Sequence, residues 1–293
     1  MMIIERIKVK LNSFLTKTHY EQVCLLLFAF LVASLTKSNF SYHFISVPIM
    51  VIAISSLFIE FNLAKNKVFW CAALLLILMT LIEDWTLPAN HDYLLIYFIL
   101  AVLLSSSKNG ELSDHRIAYH TMCLFALTFL LAGVQKLLSP QFMDGSFLSF
   151  AFHTDNFNSF ILNKIPFLSQ EFHENEIILK ELLSTDPNLE KIAVLGYQLK
   201  ESQLIFKYVS WGVVGIEFLV GIFAFFKMKS QLYLWLVLFF LVLIFFVRPE
   251  GFICVMLILA WPHLPKKNST LQYVFLSVIV SILSLIIMHN AYR

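Results

Sequence analysis

Residues 231–247 read QLYLWLVLFFLVLIFFV, a run without a charged side chain. In water such a run has no face to leave exposed. In a bilayer, where backbone N–H and C=O groups must bond within the chain, it forms a spanning helix. Arg248-Pro249-Glu250 interrupts it, and a second apolar run continues to His263. The pattern repeats along the chain. Segments near the length of about 20 residues that a spanning helix needs are expected at 20–36, 44–61, 67–84, 91–107, 117–138, 205–226, 231–247, 249–263 and 270–288. The composition agrees: 59% of the 293 residues are apolar and 14% charged, with a mean hydropathy of +0.79. A soluble domain has roughly 45–50% and about 25%. The sequence therefore reads as an all-α integral membrane protein, a single transmembrane domain over 1–293 with a bundle of about nine transmembrane helices. A soluble enzyme, a disordered chain and a nucleic-acid binder are excluded.

Loop charges set the expected orientation, because Lys and Arg accumulate on the cytoplasmic side. Arg6, Lys8, Lys10 and Lys17 precede the first segment, and Lys65/Lys67, Lys108/Arg116, Lys227/Lys229 and Lys266/Lys267 fall in alternate loops. The opposite side holds Lys37, Arg248 and Arg293. The N-terminus is expected inside a cytoplasmic (inner) membrane and the C-terminus outside, with membrane lipid as the surrounding partner. No small-residue cleavage site follows the first segment, which reads as a retained anchor. One long outward-facing loop, 139–204, is expected to carry short interfacial helices capping the bundle; a plain connector is the alternative. Asp186-Pro187 looks like a helix start, with Leu189, Ile192, Ala193 and Leu199 at near-helical spacing. Phe147, Phe150, Phe152, Phe157 and Phe160 form an aromatic-rich stretch before it.

Ionisable groups inside spans are the informative positions, since each costs roughly 2.5–3.5 kcal/mol or more at the bilayer centre. Lys136 lies one turn inside the outer end of the fifth segment, and Glu217 near the middle of the sixth. The outer loop between the third and fourth holds Glu83, Asp84, Asn90, His91 and Tyr93. The topology puts Lys136, His91, Glu83 and Asp84 at one depth, so they can converge on an outward-facing cavity. An amine walled by apolar groups loses solvation as an ammonium and can serve as a base. The plainer readings are a snorkelling Lys136, a Glu217 that pairs with a neighbouring helix for packing, and an interfacial His91 capped by Asn90. Gly212, Gly215 and Gly221 share the Glu217 helix, which lets a neighbouring backbone or a flat ligand approach. The four Cys are isolated in apolar runs, the nine His lack ligand spacing, and no metal site is expected.

Two blocks carry a likeness. Ala132-Gly133-Val134-Gln135-Lys136-Leu137 followed by Asp144-Gly145-Ser146, and Asn90-His91-Asp92-Tyr93-Leu94, resemble motifs of the vitamin K-dependent γ-glutamyl carboxylases and their bacterial relatives, the horizontally transferred transmembrane (HTTM) family. The resemblance covers residues 65–265 in outline and is close only in these blocks. It implies a lyase with quinol epoxidase chemistry: Lys136 as the base acting on a reduced quinone, vitamin K hydroquinone or menaquinol, with His91 assisting. O2 and CO2 would be co-substrates, and a peptide or protein glutamate the acceptor. Asn90, Tyr93, Gly133, Gln135, Glu217, Glu83 and Asp84 would line the substrate site, with Glu83, Asp84 or Glu217 orienting the base or tuning its charge. Gln135 stands where a second Lys often neighbours the base, and residues 247–251 lack a His-containing stretch of the carboxylases. The large extramembrane portion of the animal enzymes has no counterpart in these residues, so the loop 139–204 would have to recognise any protein substrate. The rival reading is a non-enzymatic membrane protein, binding lipid or peptide or serving immunity or export, that keeps the fold without the chemistry.

Overall fold

The computed structural model describes residues 2–34, 51, 66–83, 90–153, 166–184, 195, 202–247, 251–265 and 270–292. Among these residues there is no strand. The helices are α1 (Met2–Thr16), α2 (His19–Ser34), α3 (Lys67–Glu83), α4 (Asn90–Ser105), α5 (Gly110–Leu137), α6 (Pro140–Met143), α7 (Ser146–His153), α8 (Pro166–Ser184), α9 (Ser202–Lys227), α10 (Gln231–Val247), α11 (Gly251–Ala260, continued by a 3-10 turn Trp261–His263) and α12 (Thr270–Tyr292).

Local chemistry explains several starts. Thr18 Oγ1 accepts the amide of Glu21 at 3.2 Å, the Thr-x-x-Glu arrangement that satisfies a first-turn donor of α2. Asn66 Oδ1 accepts from Val68 N at 2.9 Å to open α3, and Asn109 Oδ1 accepts from Glu111 N at 3.0 Å to open α5.

Helices occupy every expected spanning segment except 44–61, which falls outside the described residues apart from residue 51. Three are long and apolar enough to cross a membrane: Glu111–Leu137, Gln203–Lys227 and Thr270–Met288. His19–Ser34, Lys67–Met79, Tyr93–Ser105, Gln231–Phe245 and Gly251–His263 are apolar but shorter. At 1.5 Å per residue, the ten residues of α11 extend about 15 Å, half of a hydrocarbon core of about 30 Å. The expectation of nine full-length spans is thus met only in part: apolarity marks where helices form, while their length sets whether each can cross.

The chain divides into two compact units, Met1–Thr128 with Ile222–Val242 and Glu250–Arg293, and Phe129–Gly221 with Leu243–Pro249. In the first, α11 is the core: every residue from Ile253 to Ala260 is at most 1% exposed. A helix apolar on all sides must be surrounded, and α2, α4 and α12 pack around this one.

Polar bonds fasten the helix ends of this unit. Gln22 is buried, donates through Nε2 to Phe14 O at 3.0 Å and accepts from Trp261 Nε1 at 2.9 Å. One amide thereby ties the end of α1 and the turn after α11 to α2. His19 Nδ1 lies 2.7 Å from Pro262 O, and Asp114 Oδ1 accepts from Tyr20 N at 2.8 Å. Replacing Gln22 by Leu would leave the Trp261 indole N–H unmet, at about 1–3 kcal/mol for the stranded donor, while the Phe14 carbonyl would keep its bond from Lys17 N at 3.2 Å. A clear fall in the thermal unfolding midpoint of the purified Gln22→Leu protein is expected; an unchanged midpoint would show that this amide does not fasten the turn.

Candidate functional site

The second unit takes in α9 from Ser202 to Gly221. Ser210, Val214, Glu217 and Gly221 are buried and recur every three or four residues, so they form one stripe of the helix. Tyr208, Trp211, Ile216 and Leu219 are exposed apolar or aromatic residues elsewhere on its surface, a surface suited to hydrocarbon. Glu217 therefore sits on the buried seam, which explains why an acid in a long apolar helix needs a partner.

That partner is Lys136. Its Nζ donates to Glu217 Oε1 as an ion pair. The two differ in access: the Lys136 side chain is 30% exposed and that of Glu217 only 6%. The lysine side chain is thus the accessible member of the pair and the glutamate side chain the buried one. The Phe142 ring centroid is 5.6 Å from Nζ, within reach of a cation–π attraction. Glu217 Oε2 is buried and has no hydrogen-bond partner among the described residues.

Glycine makes this approach possible. A Cβ built on Gly133 would lie 3.2–3.3 Å from ring atoms of Phe218, so the ring beside Glu217 rests on the bare backbone of α5 one turn before Lys136. The Asp144-Gly145-Ser146 block grips α9 further along. Gly145 has φ +83°, and a Cβ there would meet Lys207 N at 2.3 Å and Gln203 O at 2.5 Å. Backbone lies against backbone. Beside it, Trp211 Nε1 donates to Met143 O at 3.2 Å. Asp144 Oδ1 accepts the Ser146 amide at 2.8 Å and opens α7. Hydrogen bonds from Ser146, then the charge of Lys207, hold the Asp144 carboxyl below the ordinary carboxylate range. This cap is present above the usual aspartate pKa and is lost as pH falls through the lowered value.

The loop 139–204 carries α6, α7 and α8 in its described part. The helix expected from Asp186-Pro187 lies outside the described residues apart from Leu195, which is not helical; α8 precedes it and was not expected from the sequence. Asn175 Nδ2, buried on α8, donates to His153 O at 2.9 Å and fastens α8 to the end of α7. Pairs one turn apart, Gln170 with Glu174 at 2.9 Å and Glu176 with Lys180 at 2.7 Å, support its exposed face.

Among the residues singled out from sequence, the structure joins Lys136, Glu217 and Gly133. Gln135 is exposed on α5. Asn90 and His91 open α4 and Glu83 closes α3 in the first unit; nothing of these three side chains, nor of Asp84, is among the described features. Tyr93 follows on α4 and is 46% exposed. Gly212 and Gly215 have nothing within 4 Å of a built Cβ, so the close approach expected on α9 is absent there among the described residues. Phe142 and Phe218 were not singled out; their signal is adjacency, Phe142 just past the Ser139-Pro140 helix start and Phe218 next to the acid. No group of three or more His, Cys, Asp or Glu able to hold a metal occurs among the described residues. No protein-family model, curated protein or solved structure matches the chain.

The two kinds of glycine predict opposite outcomes. Gly145→Ala puts a side chain into the backbone of α9 at a positive φ, and loss of folded protein or a large drop in thermal midpoint is expected. Gly212→Ala fills open space and should leave the midpoint unchanged or higher. Equal effects in a size-exclusion and thermal-melt comparison would contradict the packing described.

Proposed function

We propose that this chain is a nine-span inner-membrane protein with a cytoplasmic N-terminus, and that the Lys136–Glu217 pair is the acid–base element of an outward-facing site for a reduced quinone. The observation that carries the reading is the pair itself. Two of the three helices long enough to cross a membrane each contribute one charged group, at a cost that intramembrane sites bear where charge has a task.

The residues suit such a ligand. Phe142 and Phe218 offer flat apolar surfaces near the pair. The unmatched Glu217 Oε2 is a polar atom with an acceptor site to fill. A reduced quinone, when bound, supplies acidic hydroxyls and the electrons that reduce O2. Lys136 and Glu217 would take a proton from the hydroxyl, and the surrounding phenylalanines would keep water away. His91, at the start of α4, is the assisting group that the carboxylase resemblance assigns. Vitamin K hydroquinone or menaquinol fits this chemistry, with glutamate carboxylation by CO2 as the linked reaction.

Quinol-dependent oxygen uptake by the purified protein tests the reading. Lys136→Ala should lower it about 10²–10⁴-fold, the usual range for a lost general base, while Val9→Ala, at an exposed position of α1, should leave it near the wild-type rate. Full activity in Lys136→Ala would remove the chemistry from this residue. For the topology, reporter fusions after Lys180 and after Lys229 should report opposite sides of the membrane; the same side for both would overturn it.

A second reading, a non-enzymatic lipid- or peptide-binding protein, is favoured by one observation. Gly133 and Gly145 both serve packing against α9, so the motif blocks have a structural use without any reaction. Wild-type protein that binds quinol but consumes no oxygen would support it.

A further inference from the structure

We infer that Glu217, and not Lys136, is where a substrate proton comes to rest, with Lys136 acting as a relay that ends each transfer as an ammonium. The inference rests on the pair being a substrate site and assigns its two members different tasks.

Geometry supplies the argument. In an ion pair the nitrogen carries three hydrogens and no lone pair, so Lys136 cannot take a proton until it has given one away. Its Nζ–H already points at Glu217 Oε1. The Lys136 side chain is the more exposed member and Glu217 the deeper one, so a hydroxyl arriving from the open side meets the lysine first. Behind it, Glu217 holds a buried carboxylate with Oε2 unmatched. Such a group has lost solvation that its neutral form does not need.

The step balances. The hydroxyl O–H bond breaks as Nζ takes its proton, and one Nζ–H bond breaks as Oε1 takes that hydrogen. Nitrogen keeps three hydrogens, Glu217 becomes the neutral acid, and the new oxyanion is left facing the ammonium, where opposite charge stabilises it. Were Lys136 instead a neutral base, the carboxylate beside it would favour the ammonium that forms and would itself stay ionised throughout. No protonated carboxyl would then appear. The two arrangements therefore differ in whether Glu217 gains a proton.

The probe is 1-naphthol, which has a single acidic hydroxyl, needs no oxidant, and absorbs at longer wavelength as its anion. Wild-type protein titrated with 1-naphthol near neutral pH should develop the anion band. Infrared difference spectra of the same sample should show a new protonated-carboxyl C=O band. Glu217→Gln should bind the probe yet form at least tenfold less anion and lack the carboxyl band, and Glu217→Asp should recover part of both. The wild-type infrared band needs no variant to fold: anion formed without it overturns the inference. So does undiminished anion in Glu217→Gln together with none in Lys136→Met, an outcome that leaves the site reading standing with Lys136 as the base. If wild-type protein does not bind 1-naphthol, the site reading falls and the inference with it.

Discussion

A lysine and a glutamate that must meet inside apolar helices constrain the second unit more than any other contact. Each charge alone would be costly in that setting, and each is tolerable because the other is present. The requirement reaches into the sequence around them. Glu217 lies on the buried stripe of α9, so α5 has to come close enough for Lys136 to reach it. Gly133 supplies the closeness by letting Phe218 lie on backbone. The Phe142 ring, from the short α6 that follows, stands over the ammonium.

The chain grips α9 a second time just after Lys136. Ser139 caps α6, with Pro140 in its first turn, and the backbone then turns through Gly145 directly onto that of α9 at Gln203 and Lys207. The Trp211 indole bonds to Met143 O on the same side. The segment from Gly133 to Gly145 thus works as a two-point clamp, and Lys136 is positioned from both ends. A side chain fixed in this way is preorganised for chemistry, and it is equally a good packing device. Position alone does not separate these uses, whereas the unequal access of Lys136 and Glu217 and the unmatched Oε2 bear on the first.

Much of this was legible in the sequence, and the reasons differ by feature. Charge in an apolar run is conspicuous, which is why Lys136 and Glu217 stood out; Glu217 was one of three acids expected to orient the lysine, and an 81-residue separation carries no periodic signal to single it out from Glu83 and Asp84. Glycines on α9 left room without marking a contact. Three on α9 suggested a close approach, yet Gly212 and Gly215 face open space, and the tight contacts fall at Gly133 and Gly145. A glycine count gives permission for contact without saying from which side a neighbour comes. Helix α8 was missed because its acidic composition hides an apolar face; Pro166 in its first turn and the pairs one turn apart were the available signs. The span expectation rested on hydropathy and on the alternation of loop charges, which located α11 but did not register that its ten described α-helical residues extend about 15 Å. Nothing in the sequence announced Gln22 as a fastener, since its two bonds join residues from α1 and from beyond α11.

The interdependence of Lys136 and Glu217 is measured most directly by a double-mutant cycle on unfolding free energy, using Lys136→Met, Glu217→Leu and the double variant in one detergent. Stranding either charge should cost a few kcal/mol, and removing both should restore much of that loss, because a buried pair is often replaceable by apolar side chains of similar size while a lone buried charge is not. Single effects that simply add in the double variant would mean that the two side chains do not act on each other, and the clamp would then have been built for something else.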